Sequence, residues 1–409
     1  MATESVDSAV PQNSQPPLQR LRRWIRKDPI QLFLYLAGGA ILLLLIYSAG
    51  TNILSGDFTF ERFLRLLIFG LAQGSIYALI ALGYTLVYGI LGMINFAHGE
   101  VFMSGAYIGF FVIYPMAESG FLASQPLLGL ILTLLTGMIA SAIVAILLER
   151  IAYRPLRNAP RLVPLITAIG ASVTLQQLFL RLFGGSTRTY PDLNLYVLSG
   201  VAKEECTTYS SEGIRLGYNI ARPVFEYEKC LGIDLIRGIY DVNVLGMELR
   251  LRPLYFIVFF LAIFFMAVLW FVIQRTKIGK AMRAVAEDKD TAALMGINVD
   301  RVIVFTFVTG ALLAGAAAVL FALYNRQVSP FMGFTPGIKA FTAAVLGGIG
   351  NIPGAMFGGL FLGTTESVAP ALLGIPSQLE DVVAFGMLVL VLIFRPTGIF
   401  GEVLSKKKA

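Results

Sequence analysis

Histidine and cysteine are almost missing from this 409-residue chain, which has one His and two Cys. That scarcity argues against a metal cluster of Cys/His type. Charge is scarce as well: Asp, Glu, Lys and Arg make up 14% of the residues, where a globular protein carries about 25%. No run matches G-x-x-x-x-G-K-[ST], the loop whose backbone N–H groups cradle nucleotide phosphates, so any ATP must be hydrolysed on a separate chain. His-x-x-x-His pairs and paired carboxylates are also missing from the apolar runs, which leaves an intramembrane enzyme without its chemistry. What the chain does have is apolar residues, at 56% and a mean hydropathy of +0.75. One water-soluble core cannot hide that excess, so the solvent for most of the chain is lipid.

The net charge of +7 does not point to nucleic acid, because the basic residues lie in short connections and form no stripe with exposed aromatics. Residues 1–29 form a polar, proline-bearing leader ending in Arg20, Arg22, Arg23, Arg26 and Lys27, expected to be disordered. Apolar runs follow at 30–50, 63–91, 100–114, 126–148, 162–183, 254–274, 302–323, 338–350, 355–372 and 379–395. The first is long enough to cross a hydrocarbon core of roughly 30 Å and lacks a cleavage signal, so it reads as a retained anchor. The fold expected is an all-α polytopic membrane protein of about ten membrane-embedded helices, some short or broken, with one outward-facing polar insertion. Well over half of the 32 basic residues fall on one side if the N-terminus is cytoplasmic: the leader cluster, Arg150 to Arg161, Arg275 to Arg301, and Arg395 with the basic tail 402–409. Both termini are therefore expected in the cytoplasm. Parity then requires the glycine-rich run 335–372 to be two short spans or a broken helix.

The transmembrane blocks 30–183 and 254–401 flank the polar insertion 184–253, which holds Cys206 and Cys230. Long loops translocate largely regardless of charge, so this segment is placed outside. Two cysteines in the outward domain and none in the spans favour a Cys206–Cys230 disulfide in an oxidising compartment; the alternative is a pair of buried thiols.

Glycine recurs at four-residue spacing in Gly70/Gly74, Gly105/Gly109, Gly354/Gly358 and Gly359/Gly363, the pattern that lets helix backbones touch in lipid. More informative is the interruption at Asn95, His98 and Glu100, where polar groups with glycines on both sides break an apolar stretch. Such groups at membrane depth are costly and usually face a cavity, a partner or a pathway, and broken helices often build transporter substrate sites. The alternative is a solvated turn in which His98 caps a helix and Glu100 meets water. Glu366, inside a later apolar run, is a second pathway candidate, and Gln176 and Gln177 read as interhelical hydrogen-bonding residues.

The loop 275–301 carries a short amphipathic unit. Glu287 precedes Asp288, which can cap a helix over 289–295, with Gly296 as its stop. That helix would present Ala292 and Met295 at i, i+3 spacing. The face has small residues where a headgroup-lying helix needs large anchors, so docking into a partner protein is favoured.

The segment Ala81-Leu82-Gly83-Tyr84-Thr85-Leu86-Val87-Tyr88-Gly89 with Met93-Ile94-Asn95-Phe96-Ala97-His98-Gly99-Glu100 resembles the LivH-type membrane subunit of bacterial branched-chain amino-acid ABC importers. The stretch from Arg283 to Asn298 is similar to that family's ATPase-coupling loop. The run from Ala344 to Ala355 resembles its late glycine-rich segment, and Arg395 to Gly401 its C-terminal end. The resemblance spans about 63–183 and 254–401; the leader and the insertion look longer than the family core. It implies a non-enzymatic permease of an ATP-driven importer in the bacterial inner membrane, working by alternating access on branched-chain or other neutral amino acids. No cofactor is expected on this chain, with ATP used by partner subunits. The expected partners are a second related permease, two cytoplasmic ATPases, a periplasmic substrate-binding protein and the lipid bilayer, with no nucleic acid. A urea or short-chain amide importer on the same scaffold stays open, as does an ion-coupled secondary transporter.

Overall fold

A computed structural model describes residues 47–56, 58–157, 159–160, 162–191, 196–197, 233–234, 240–244, 247–395 and 397–401. The leader, the first apolar run up to residue 46, both cysteines and the tail 402–409 lie outside the described residues. Besides a helical stretch at 47–54, eleven helices of six residues or more carry the described fold. In chain order they are α1 (Phe60–Leu91), α2 (His98–Glu118), α3 (Pro126–Leu148), α4 (Leu162–Phe183), α5 (Pro253–Arg275) and α6 (Lys277–Glu287). The rest are α7 (Lys289–Leu294), α8 (Val299–Asn325), α9 (Phe334–Gly347), α10 (Ile352–Leu372) and α11 (Glu380–Phe394). Nine of them coincide with nine of the ten apolar runs. Among the described residues, seven helical stretches are long and apolar enough to cross a membrane. Pro126 and Pro253 open α3 and α5, where a missing N–H costs nothing and the fixed φ suits a first turn. Beyond Leu148, α3 runs on through a wider π turn, Glu149–Tyr153, and a 3₁₀ turn, Arg154–Leu156.

Two units are distinguished: residues 1–59 with Ala371–Ile375, and Phe60–Pro370 with 376–409. In the small unit, the Ser48 hydroxyl donates to the Leu373 carbonyl at 2.6 Å and the Asn52 amide to the Leu372 carbonyl at 3.0 Å. In the large unit α1 and α8 are mostly buried, with α2, α3 and α9 packed on them. A helix apolar all round belongs inside, and α1 is sealed from Gly74 to Val87. By contrast α4, α5 and α11 leave Ile166, Phe260, Phe264 and Val389 exposed, as a lipid-facing surface would.

Small residues set the packing distances. A Cβ on Gly70 would come within 2.7 Å of Thr364 Cα, and one on Gly74 within 2.8 Å of the Gly359 carbonyl oxygen. A Cβ on Gly363 would overlap the Gly74 backbone. The Gly70/Gly74 and Gly359/Gly363 faces are thus two halves of one α1–α10 crossing. Gly105 meets Gly315 of α8 and Gly137 of α3 in the same manner, whereas Gly109 makes room for side chains, the Tyr190 hydroxyl and Val319. Dispersion from such close approach replaces the hydrophobic drive that lipid does not supply.

The glycine-rich run 335–372 is two helices, α9 and α10. Gly348 and Gly350 adopt φ of +103° and +94°, which only glycine takes easily. Residues 397–401 close over this break: Ile399 N–H donates to the Leu346 carbonyl at 2.8 Å, Phe400 N–H to Gly347 at 3.2 Å, and the Asn351 amide to Phe400 at 2.9 Å. Helix ends left without such partners would strand carbonyls in a medium without water. The described parts of the insertion are short strands, including an antiparallel pair of Tyr240–Val244 with Met247–Leu251. Arg188–Thr189 pairs with Gln327–Val328, which ties the end of α4 to the end of α8.

Gly363→Val should destabilise the membrane-extracted protein by roughly 3 kcal/mol or more, at or beyond the upper end of ordinary overpacking. Gly386→Val, where a Cβ meets nothing, should change it by under about 0.5 kcal/mol. Thermal unfolding of both variants in detergent checks the contrast; equal effects would refute the crossing.

Candidate functional site

Helix α1 stops where Gly92 takes φ +68°, and six residues later α2 begins at His98. The intervening backbone is held by its own turns: His98 N–H donates to the Asn95 carbonyl and Val101 N–H to Ala97, at 3.1 and 3.0 Å. The solvated-turn reading fails here. Asn95, His98 and Glu100 are 3%, 3% and 1% exposed, and the cap position belongs to Ala97, with no side-chain cap.

Each of the three residues meets a different helix. The Tyr153 hydroxyl, from the π turn after α3, donates to Asn95 Oδ1 at 2.6 Å. The His98 imidazole lies edge-on to the Tyr84 ring at 4.9 Å between centroids, in space left by Gly83, where any Cβ would overlap it. Ser172 of α4 donates to Glu100 Oε1 at 3.4 Å, while Glu100 Oε2 has no hydrogen-bond partner among the described residues. That oxygen faces Gly333, where a Cβ would sit 3.1 Å from it. Gln176 and Gln177 make no hydrogen bond among the described residues, and Gln177 is exposed; Ser172, one turn earlier, holds the interhelical bond instead.

The break lies deep. Gly310 touches Gly83 beside His98 and stands 11 residues into α8, about 16 Å along a helix of roughly 40 Å. At this depth a second helix begins. Gly333 caps α9, and a side chain on Gly333 would overlap the Gly99 carbonyl, while one on Gly337 would stand 3.0 Å from Gly99 Cα. The first turns of α2 and α9 therefore face each other across glycine backbones. Of the first-turn N–H groups, those of His98, Glu100 and Phe334 are held by local turns, while those of Gly99 and Thr335 make no hydrogen bond among the described residues. Both ends carry partial positive charge, with the Glu100 carboxylate between them. Such an arrangement can hold a carboxylate on N–H donors and an ammonium on Glu100.

Glu366 is 1% exposed and belongs to a separate cluster. Lys339 of α9 forms a buried ion pair with Glu366 of α10 and reaches Asp381 of α11 at 2.6 Å. The Tyr77 ring lies 5.8 Å from the lysine nitrogen, and the Gln73 amide donates to the Tyr77 hydroxyl at 2.7 Å. Glu380 brings a third carboxylate to the group. Tyr77 and Tyr84 are seven residues apart on α1, two turns or about 10 Å, so this cluster and the α2 break lie at successive levels of α1. Lys339 escaped sequence analysis. Its signal was a lone lysine just inside an apolar run, beside Gly337.

The 275–301 segment holds two helices. In α6, Met282 and Val285 are buried and Thr276 caps the first turn, accepting from Gly279 N–H at 3.1 Å. Asp288 then caps α7, accepting from the Asp290 and Thr291 N–H groups at 2.9 and 3.2 Å. Gly296, at φ +83°, ends it. Ala292 corrects the expected docking face: at 4% exposed it packs inward. The helix is only six residues long and Met295 already belongs to its terminating turn, so the i, i+3 pair does not share a face. The exposed apolar tip is Leu294 and Met295, at 88% and 79%. Glu287 is the last residue of α6.

Lys339→Met should destabilise the protein by about 3–5 kcal/mol, the cost of leaving a buried carboxylate unpaired. Lys339→Met with Glu366→Met should recover most of that loss. A thermal double-mutant cycle in detergent reads the coupling; additive losses would deny the pair any energetic link.

Residues 66–392 match the family model described as branched-chain amino acid transport system / permease component. The chain is 43% identical to the high-affinity branched-chain amino acid transport system permease protein BraD of Pseudomonas aeruginosa, over 83% of this chain and 96% of that protein. It is 41% identical to the corresponding LivH protein of Salmonella typhimurium and 40% identical to that of Escherichia coli K12, in each case over 84% of this chain and 97% of the relative. No solved structure matches. With most of its length covered by the family model and its relatives matched nearly end to end, the chain belongs to the branched-chain amino acid transport permease family.

Proposed function

We propose that the chain is the membrane subunit of an ATP-driven importer for branched-chain or other neutral amino acids. It is a transport subunit, not an enzyme. The observation that carries the reading is the meeting of two helix starts, α2 and α9, around the buried Glu100 at mid-bundle depth. A neutral amino acid presents both a carboxylate and an ammonium, and helix N-termini with one acceptor match both charges. Asn95 and His98 position the break, and the Lys339–Glu366 pair marks a second level of the same pathway. The branched-chain cargo in the names of BraD and LivH supports this choice.

In the packed state Gly99 and Gly333 leave no room for a ligand, so passage requires α2 and α9 to part. The work for that movement comes from ATP hydrolysed on two partner chains at the cytoplasmic face, docked on Leu294 and Met295. A second related permease completes the membrane pair, and a periplasmic binding protein delivers the amino acid. Both termini lie in the cytoplasm of an inner-membrane protein. Cys206 and Cys230 would then face the oxidising side.

Glu100→Gln should keep the protein in the membrane and lower uptake of leucine by reconstituted transporter at least about tenfold, the weight of roughly 1.4 kcal/mol. His98→Gln should be milder than His98→Leu, which strands its neighbours at about 1–3 kcal/mol. Wild-type uptake in Glu100→Gln would remove the carboxylate from the pathway. For the docking tip, Leu294→Asp with Met295→Asp should abolish stimulation of the partner ATPases by loaded binding protein. Gly296→Pro, which forbids the observed positive φ, and charge reversal at Glu287 should act in the same direction. Normal stimulation in all three would exclude α7 as the docking element.

A further inference from the structure

Where α3 ends and α8 begins, Arg150, Arg154 and Arg301 line a cavity of about 500 Å³ whose wall continues into Val304, Phe305 and Val308. Asp300 also lines it, but that carboxylate is already engaged by Arg154 at 3.0 Å and by Arg157. Arg157 further pairs with the buried Glu149. Arg150 and Arg301 are exposed, and although the Arg301 N–H donates to Asn298 Oδ1, neither guanidinium has a hydrogen bond or ion pair among the described residues. Four guanidiniums thus stand against two carboxylates, and the excess positive charge faces the cavity.

We infer that this cavity is a binding site for an anionic phospholipid, with the phosphate between Arg150 and Arg301 and an acyl chain along Val304, Phe305 and Val308. Depth discriminates among occupants. The apolar wall begins five residues into α8 and ends nine residues in, about 8 to 14 Å from the helix start. A soluble partner does not reach hydrocarbon depth, and a free anion gains nothing from an apolar wall. The guanidiniums, by contrast, stand at the helix ends, the level of the headgroups. Leu147 and Ile151, on the stretch that carries Arg150, are exposed and add apolar surface beside that arginine in sequence. A basic rim over an apolar slot between helix ends is the chemistry that holds acidic headgroups. Arg150 reaches the ligand from the end of α3, and Arg301 from α8, so a bound lipid joins the two helices near the α7 tip.

The test is native mass spectrometry of the full chain in detergent, titrated with phosphatidylglycerol or with phosphatidylcholine of the same chains. Wild type should retain phosphatidylglycerol about tenfold over phosphatidylcholine. Arg150→Gln with Arg301→Gln, two exposed and unpaired positions, should lose that preference, a fall of roughly tenfold or more for two interfacial charges. Glycerol phosphate, which offers the headgroup without chains, should not displace the lipid. Equal retention of the two lipids, an unchanged preference in the double variant, or displacement by glycerol phosphate would each overturn the site.

Discussion

Backbone-to-backbone contact through glycine is the constraint on which the described bundle rests. Lipid gives helices no reason to associate by burying apolar area, so association depends on van der Waals contact at close range. Helix α1 supplies that range on several sides. Gly70 and Gly74 receive α10, and Gly83 receives α8 together with the imidazole of His98. Because no side chain separates these backbones, the broken segment before α2 can be enclosed. The polar residues within it are enclosed by glycine backbones together with the rings of Tyr84 and Tyr153. The same economy operates between Gly99 and Gly333, where two helix starts come together.

Enclosure makes buried carboxylates expensive, and for Glu366 and Glu100 the chain meets that cost in two ways. Glu366 has a counterion: Lys339 reaches it from α9. An ion pair in a dry site recovers part of the desolvation penalty of both groups and leaves a heavy loss if either is removed. Glu100 has no such partner. It receives one hydroxyl from Ser172 and lies in the first turn of α2, where the helix dipole favours a negative charge by a modest amount, up to about 2 kcal/mol when partly buried. A carboxylate that is under-compensated in its resting state gains most from the arrival of a cation. The ammonium of an amino acid is one, which is why Glu100 rather than Glu366 is assigned to cargo.

Much of this was legible in the sequence, and the parts that were not share a cause. Apolar length located nine helices, and glycine spacing marked the faces that meet at the α1–α10 crossing without pairing them, because both are local patterns. Asn95, His98 and Glu100 were legible because a polar group in an apolar run is conspicuous wherever its partner lies. Lys339 and Glu366, by contrast, are a pair 27 residues apart in sequence, and nothing local announces that two helices will bring them together. The α6 helix was also missed, although Ile278, Ala281, Met282 and Val285 have the i, i+3, i+4, i+7 spacing of an amphipathic helix. Its charged flanks dominated the reading. Ala292 was misassigned for a reason of scale: spacing rules describe helix interiors, and a helix of six residues is mostly ends.

Rigid packing then decides what a force on the α7 tip can do. Helix α6 is seated against α5, α1 and α8, with Met282 and Val285 inside. The turn joining it to α5 is so tight that a Cβ on Gly279 would overlap the Ile273 carbonyl. Ala292 fastens α7 to the same surface, while Leu294 and Met295 remain outside. An interior at crystal-like density transmits displacement and does not absorb it, so a shift of the tip must pass into α6 and from there into α1 and α8. Those are the helices whose Gly83 and Gly310 enclose His98. Parting them by even one ångström would open the space that glycine now closes, and α2 and α9 start within that space. The exposed α7 tip and the enclosed helix break are thus two ends of one packed body, with glycine contacts as the joint that can separate.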